Sequence, residues 1–427
     1  MSGLADVGLD TDRYPAGTPP RTPAERRLDV LNVLLSDVRY GLGAYLGVYL
    51  VSEHHWDEAQ IGLALSAGGL AGLFSATPMG ALVDAVRDKR WLIAAAALIV
   101  TTACLAIPLA PQFGPVVMAG VIGSVAGTLF APAISAISLG MVGPARFAKR
   151  AGRNEAMFHA GNAACNVVVL GAAYAWGSGA VFWVLAVTAL SSIGAVLSIP
   201  QRSIDADLAR GLDRNASLRG ARREPLAALL NDRNLLVFAA TGALFHLANG
   251  AMLGLVGQKL AHLVPGQGIA LTAACAICAQ IVMVPTAMLA GSMADRWGRK
   301  PLFAAAFFAL ALRGALYPLS DQPAWLVSVQ LLDGVGAGLT GALFPAIVSD
   351  LTRGSGHFAA AQAGVGTMQG LGGIVSATLA GAIVTTAGYS PAFVTLSAIA
   401  LVGGVLFWGL MPETGPGCRS AFRVIRS

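Results

Sequence analysis

Residues 291–300 read GSMADRWGRK, from Gly291 to Lys300, between apolar runs at 268 to 293 and 301 to 320. Each run can cross about 30 Å of hydrocarbon at about 1.5 Å per residue, so the charged stretch reads as a short loop at a membrane surface. Residues 80–90 read GALVDAVRDKR, and Gly80, Asp84 and Lys89 stand 211 residues before Gly291, Asp295 and Lys300. Gly120, Gly127 and Phe130 likewise precede Gly334, Gly341 and Phe344 by 214. A hydrophobic chain that repeats itself at about half its length is expected to fold as two related halves.

Working outward from these loops, twelve apolar runs can be placed, at 29 to 52, 59 to 83, 91 to 110, 114 to 141, 154 to 177, 179 to 199, 234 to 261, 268 to 293, 301 to 320, 324 to 349, 358 to 387 and 391 to 410. They imply an arm (1–28), a first six-helix bundle (29–199), a linker (200–233), a second bundle (234–410) and a tail (411–427). Short cytoplasmic loops retain Lys and Arg. The arm, the even-numbered loops, the linker and the tail hold 25 of the 28 basic residues, and the opposite loops hold none. Only Arg39, Lys259 and Arg313 fall inside runs. Both termini and the linker are therefore expected in the cytoplasm. Trp56, Trp176 and Trp325 fall at outer run ends and Trp91, Trp297 and Trp408 at inner ends, where amphipathic rings meet headgroups. The linker, with Arg219, Arg222 and Arg223 beside Asp213 and Glu224, reads as a solvated connector carrying a short surface helix.

Composition agrees. Hydrophobic residues make up 56%, charged residues 12%, and mean hydropathy is +0.68, against about 25% charged in soluble domains. Fifty-two glycines suit helices that approach closely in lipid. The net charge of +6 gathers at run ends without aromatic interleaving, which argues against nucleic-acid binding. Four of five cysteines lie in apolar runs, so no disulfide framework is expected. The N-terminal arm lacks the pattern of a cleaved signal.

The loop residues resemble the signature of the major facilitator superfamily, G-x-L-x-D-R-x-G-R-K. In the second copy Gly291, Asp295, Arg296, Gly298, Arg299 and Lys300 match. In the first, Gly80, Leu82, Asp84, Lys89 and Arg90 fit, while Arg87 and Asp88 replace the glycine and arginine. Pro412, Glu413 and Thr414 are similar to the P-E-T that ends many sugar-porter-type members. The resemblance implies an all-helical membrane fold of two pseudo-symmetric six-helix bundles, a central cavity lined by segments 1, 4, 7 and 10, and rocker-switch alternating access. It makes the charged loops a conformational latch, in which a carboxylate meets a neighbouring helix N-terminus. The arginine-bearing fourth segment of drug-proton antiporters is missing, since 113–141 carries no charge.

Ionisable groups inside membrane helices cost at least about 2.5 kcal/mol each and mark function by default. Aligning Gly41 with Gly250 sets Asp37 opposite His246 and Tyr40 opposite Asn249, a candidate site for substrate and proton coupling. Asp37, Tyr40, Gly41 and Ala44 share one helix face, from which Arg39 points away by about 160°. Counted from the run starts, Asp37 lies ~12 Å deep and His246 ~18 Å, which strains the pairing. The competing reading makes Asp37 and Arg39 neutralise other groups or cap helices. Asp333 on segment 10 is a further coupling candidate. Arg313 reads as a helix-seam residue, and His159, Asn162 and Asn166 as packing glue. Cys275, Cys278, Met283 and Met288 raise soft-metal transport, but helical geometry gathers them on no single face, and no metal site is expected.

The chain lacks a phosphate-binding loop, an H-E-x-x-H helix and a G-x-S-x-G elbow, so it is read as neither a pump nor an enzyme, and needs no cofactor. The expectation is a secondary transporter of a small organic solute in a bacterial inner membrane, proton-coupled, acting in efflux or uptake as a monomer. Organic-anion import without proton coupling, copper transport and a flux-free sensor are the alternatives.

Overall fold

The computed structural model describes residues 21–40, 46, 49–50, 53–177, 179–213, 225–265 and 267–415. It is helical from end to end: α1 (Pro23–Tyr40), α2 (Glu58–Ala85), α3 (Lys89–Ala106), α4 (Phe113–Val142), α5 (Pro144–Trp176), α6 (Ala180–Ser198), α7 (Arg233–Leu263), α8 (Gly268–Trp297), α9 (Arg299–Leu316), α10 (Pro323–Leu351), α11 (Phe358–Ala387) and α12 (Tyr389–Leu410). Among the described residues, eleven helices are long and apolar enough to cross a membrane. Beyond α1, helical residues reappear at Leu46, Tyr49 and Leu50. The α4, α7 and α10 helices are each interrupted, near Thr128, Gly250 and Gln330.

Local chemistry sets the helix ends. Asp57, Asp88 and Asp232 cap α2, α3 and α7 by accepting hydrogen bonds from the first free backbone N–H groups, with Asp57 at 2.7 Å from Gln60 N. The α5 helix begins ten residues before the apolar run, and in that extension Phe147 and Ala148 are buried together with Arg150, which is held by Asp29.

The two halves repeat one packing scheme. In the first, α1 packs on α5 and α6, α2 on α4, and α3 on α4 and α6. In the second, α7 packs on α11 and α12, α8 on α10, and α9 on α10 and α12, which is the same set shifted by six helices. The halves meet through α2 with α11, and through α5 with α8 and α10. In lipid no hydrophobic force draws these helices together, so the seam uses small residues. A Cβ on Gly152 would stand 2.3 Å from the carbonyl of Ala287, and one on Gly80 would stand 2.6 Å from that of Ala359.

The start of the linker corrects the solvated-connector reading. Ile204, Leu208, Ala209 and Leu212 are buried. Asp205 N donates to Gly140 O, Arg210 to Ala85 O at 3.0 Å, and Gly354 N to Gly211 O at 2.7 Å. This segment packs beneath α4 and α11. Arg219, Arg222, Arg223 and Glu224 lie outside the described residues, as do Gly41, Ala44 and Cys418.

Candidate functional site

Three groups of polar residues stand out. The first is on α1, where Asp37 is buried beside the Cys165 thiol of α5. The close approach of α5 makes this contact: a Cβ on Gly161 would lie 2.4 Å from Val33 O. Among the described residues Asp37 has no cationic partner. The side chains of Arg39 and Tyr40 lie outside the described residues.

The second group lies in the other half. Arg313, 1% exposed, forms an ion pair with Asp333 and donates to Asn249 Oδ1 at 2.9 Å. It joins α9 to α10 and α7, as a helix-seam residue should. Two candidates for coupling, Asp333 and Asn249, are therefore held by one guanidinium. His246 is partly buried, with its ring edge-on to Phe245, and no hydrogen bond or ion pair joins it to Asp37 among the described residues. Measured from the first residues of α1 and α7, Asp37 lies about 21 Å and His246 about 20 Å along their helices.

The third group is the seam between halves at the end that carries the linker. Asp84 is buried at the end of α2 and accepts from Ala359 N at 3.1 Å and Ala360 N at 2.8 Å, the free first amides of α11. A carboxylate at a helix N-terminus is stabilised by those donors and by the helix dipole. Beside it Lys89 donates to Val86 O, and Arg90 grips Asp88 at 2.6 Å and Ile199 O at 2.7 Å. That hydrogen bond from Arg90 holds the Asp88 carboxyl below the usual carboxylate range.

The second copy behaves differently. Gly291 packs on Ala148 and Gly152 of α5, as Gly80 packs on Ala359 and Ala363, but Asp295 is exposed and lies 3.7 Å from its own neighbour Arg299. The helix facing it explains why. The α11 helix starts at Phe358, whereas α5 starts at Pro144, so the amides of Ala148 and Lys149 are already inside the helix. Arg299 instead meets Asp350 at 2.9 Å, Arg296 is exposed, and Lys300 lies 5.0 Å from the centre of the Trp408 ring. Glu413 of the P-E-T segment caps α9, accepting from Arg299 N at 2.8 Å and Lys300 N at 3.0 Å.

Sequence reasoning passed over two features. Glu155 on α5 pairs with His159 at 3.3 Å and meets Gly341 of α10 at the seam; its signal was the four-residue spacing from His159. Buried Arg150 binds Asp29 at 2.6 Å and Asn154 at 2.8 Å, tying α5 to α1. Its arginines had been read only as loop charge.

A cavity of about 490 Å³ opens in the first half, lined among others by Val38, Leu46, Gly68, Val100, Gly120 and Ser124. It draws on α1 to α4, and none of its lining residues is on α7 or α10.

Two packed halves of six helices, joined by a linker and meeting along glycine-lined seams, define a membrane transporter rather than an enzyme. The sequence model of the Major Facilitator Superfamily matches residues 30–284 and 262–421, and the chain belongs to that family. Two uncharacterized MFS-type transporters, from Mycobacterium tuberculosis strains CDC 1551 / Oshkosh and H37Rv, are each 47% identical over 396 residues, covering 93% of this chain and 94% of theirs. Among solved structures, the proton:xylose symporter XylE aligns with a TM-score of 0.68 at 14% identity, over 92% of this chain and 96% of its own. FucP in its outward conformation aligns at 0.69 and 13%, over 91% and 99%. The human organic anion transporter MFSD10 aligns at 0.66 and 16%, over 90% and 100%. At these identities the structures speak to the fold alone.

Proposed function

We propose that this chain is a secondary active transporter that moves a small organic solute by alternating access, with Asp37 as the proton-coupling carboxylate. The observation that carries this reading is the contrast between two intramembrane acids. Asp333 is neutralised by Arg313, whereas buried Asp37 has only a thiol partner among the described residues. A carboxylate without a cation in that setting is costly when ionised, so a proton is the natural means of neutralising it. The apolar cavity beside Val38 supports a solute site near this group. Arg313 and Lys259 are both paired, Lys259 with Asp321 at 2.6 Å, which favours a neutral or cationic solute over an organic anion. The basic residues support a cytoplasmic position for the linker and termini, and we take the monomer in a bacterial inner membrane as the working unit.

The test uses proteoliposomes and a substrate found by a transport screen. Asp37→Asn mimics the protonated acid, so gradient-driven accumulation should be lost while substrate counterflow persists. His246→Gln should reduce accumulation more mildly. Accumulation that survives Asp37→Asn, or counterflow lost together with it, removes Asp37 from coupling.

A further inference from the structure

We propose that the cleft between α1, α5 and α8, at the linker side of the molecule, binds the headgroup of an anionic phospholipid. The cleft holds about 660 Å³ and is walled on one side by Arg146, Lys149, Arg150 and Arg153. These four stand at i, i+3, i+4 and i+7, so they form one stripe on a helix face. Arg21 adds a fifth cation across the cleft. Among the described residues two carboxylates answer them: Glu25 pairs with Arg146 at 3.2 Å, and Asp29 with Arg150, Arg153 and Arg21. Lys149 is exposed and has no ion-pair partner among the described residues. The cleft therefore carries a clear excess of positive charge.

The opposite wall is apolar. Met288 and Leu289 of α8, 45% and 58% exposed, stand on a membrane-spanning helix, with Ser292 one turn further on. Cations facing a lipid-exposed apolar wall at membrane depth match a molecule with a phosphate head and acyl tails, and basic pockets between membrane helices take such headgroups. A soluble anion would use the charge and leave the apolar wall idle. Because α5 and α8 belong to different halves, touching at Gly152 and Gly291, a headgroup held here also favours the conformation in which this end is closed.

The full-length chain in detergent is titrated with phosphatidylglycerol, phosphatidylcholine and inorganic phosphate, and retained lipid is read by native mass spectrometry. Phosphatidylglycerol should be retained in preference to phosphatidylcholine. Arg146→Gln with Lys149→Gln should weaken its retention about tenfold, and Lys149→Gln alone about fivefold. The single variant, at an exposed and partnerless side chain, carries the test should the double variant fail to fold. Arg146→Lys with Lys149→Arg should retain the lipid, as should Arg233→Gln, which removes an exposed cation outside the cleft. Equal retention of both lipids, or undiminished phosphatidylglycerol on folded Lys149→Gln protein, overturns the site. Displacement of the lipid by inorganic phosphate at similar concentration overturns the lipid assignment in favour of a soluble anion.

Discussion

Arg313 shows how much one side chain decides in a low-dielectric setting. It is buried with Asp333 and Asn249 as partners, and an arginine left there alone would lose both solvent and counter-ion. Asp333→Leu should therefore destabilise the protein by about 3–5 kcal/mol, while Arg313→Met with Asp333→Leu together should cost less than either change alone. Thermal unfolding in detergent checks this, and an unchanged midpoint for Asp333→Leu would show that the pair is not structural. Asp37 is the converse case, a buried acid with no such partner among the described residues, so its neutral variant is expected to spare folding and counterflow. The position of both acids inside predicted helices was legible from sequence. Their different partners were not, because Arg313 and Asp333 are twenty residues apart on separate helices and only packing brings them together.

At the level of elements, the two copies of the signature loop share residues without sharing a job. Gly298 has φ of +85°, a left-handed conformation open to glycine. Arg87 holds the equivalent place, and the only non-glycine residue with positive φ among those described is His55. The first loop therefore turns differently, and the next residue, Asp88, is free to cap α3. Asp84→Asn should weaken the cap on α11 by about 1–2 kcal/mol, lowering the population of the closed linker end by a factor of about 5 to 30. Distances between spin labels on α2 and α11 would report it. Asp295→Asn should leave those distances unchanged, since α5 offers it no free amide. A large effect of Asp295→Asn would mean that the second copy also latches.

Across the whole molecule, the hydrogen bonds between the halves gather at the linker end: Asp84 with α11, Gln362 with Ser135 at 3.1 Å, and Thr77 with Thr367 at 3.5 Å. The halves close on each other at that end. Gly152→Leu should block that closure, because even a Cβ meets Ala287 O at 2.3 Å. The variant is expected to insert and fold but not transport, and thiol labelling of a cysteine placed at the linker end should rise. Reporter fusions near Gln112, Gly179 or Gln267 should be active only outside the cytoplasm, and silent within 200–233. An active linker fusion would invert the topology.

The succession of membrane helices, most of their boundaries to within a few residues and the two-half repeat could be read from the chain alone, because lipid demands runs of about twenty apolar residues and confines charge to the loops between them; the ten-residue early start of α5 could not. Even the spacing of the turns carries the repeat: Gly143 and Gly354, and Gly177 and Gly388, are 211 apart and all have positive φ. Tertiary structure alone decided which polar groups meet. A one-residue step rotates a helix face by about 100°, so small differences in packing decide whether an acid finds an arginine, a thiol or a helix end. That is why Asp84 became a cap, Asp295 did not, and Asp333 was neutralised by Arg313.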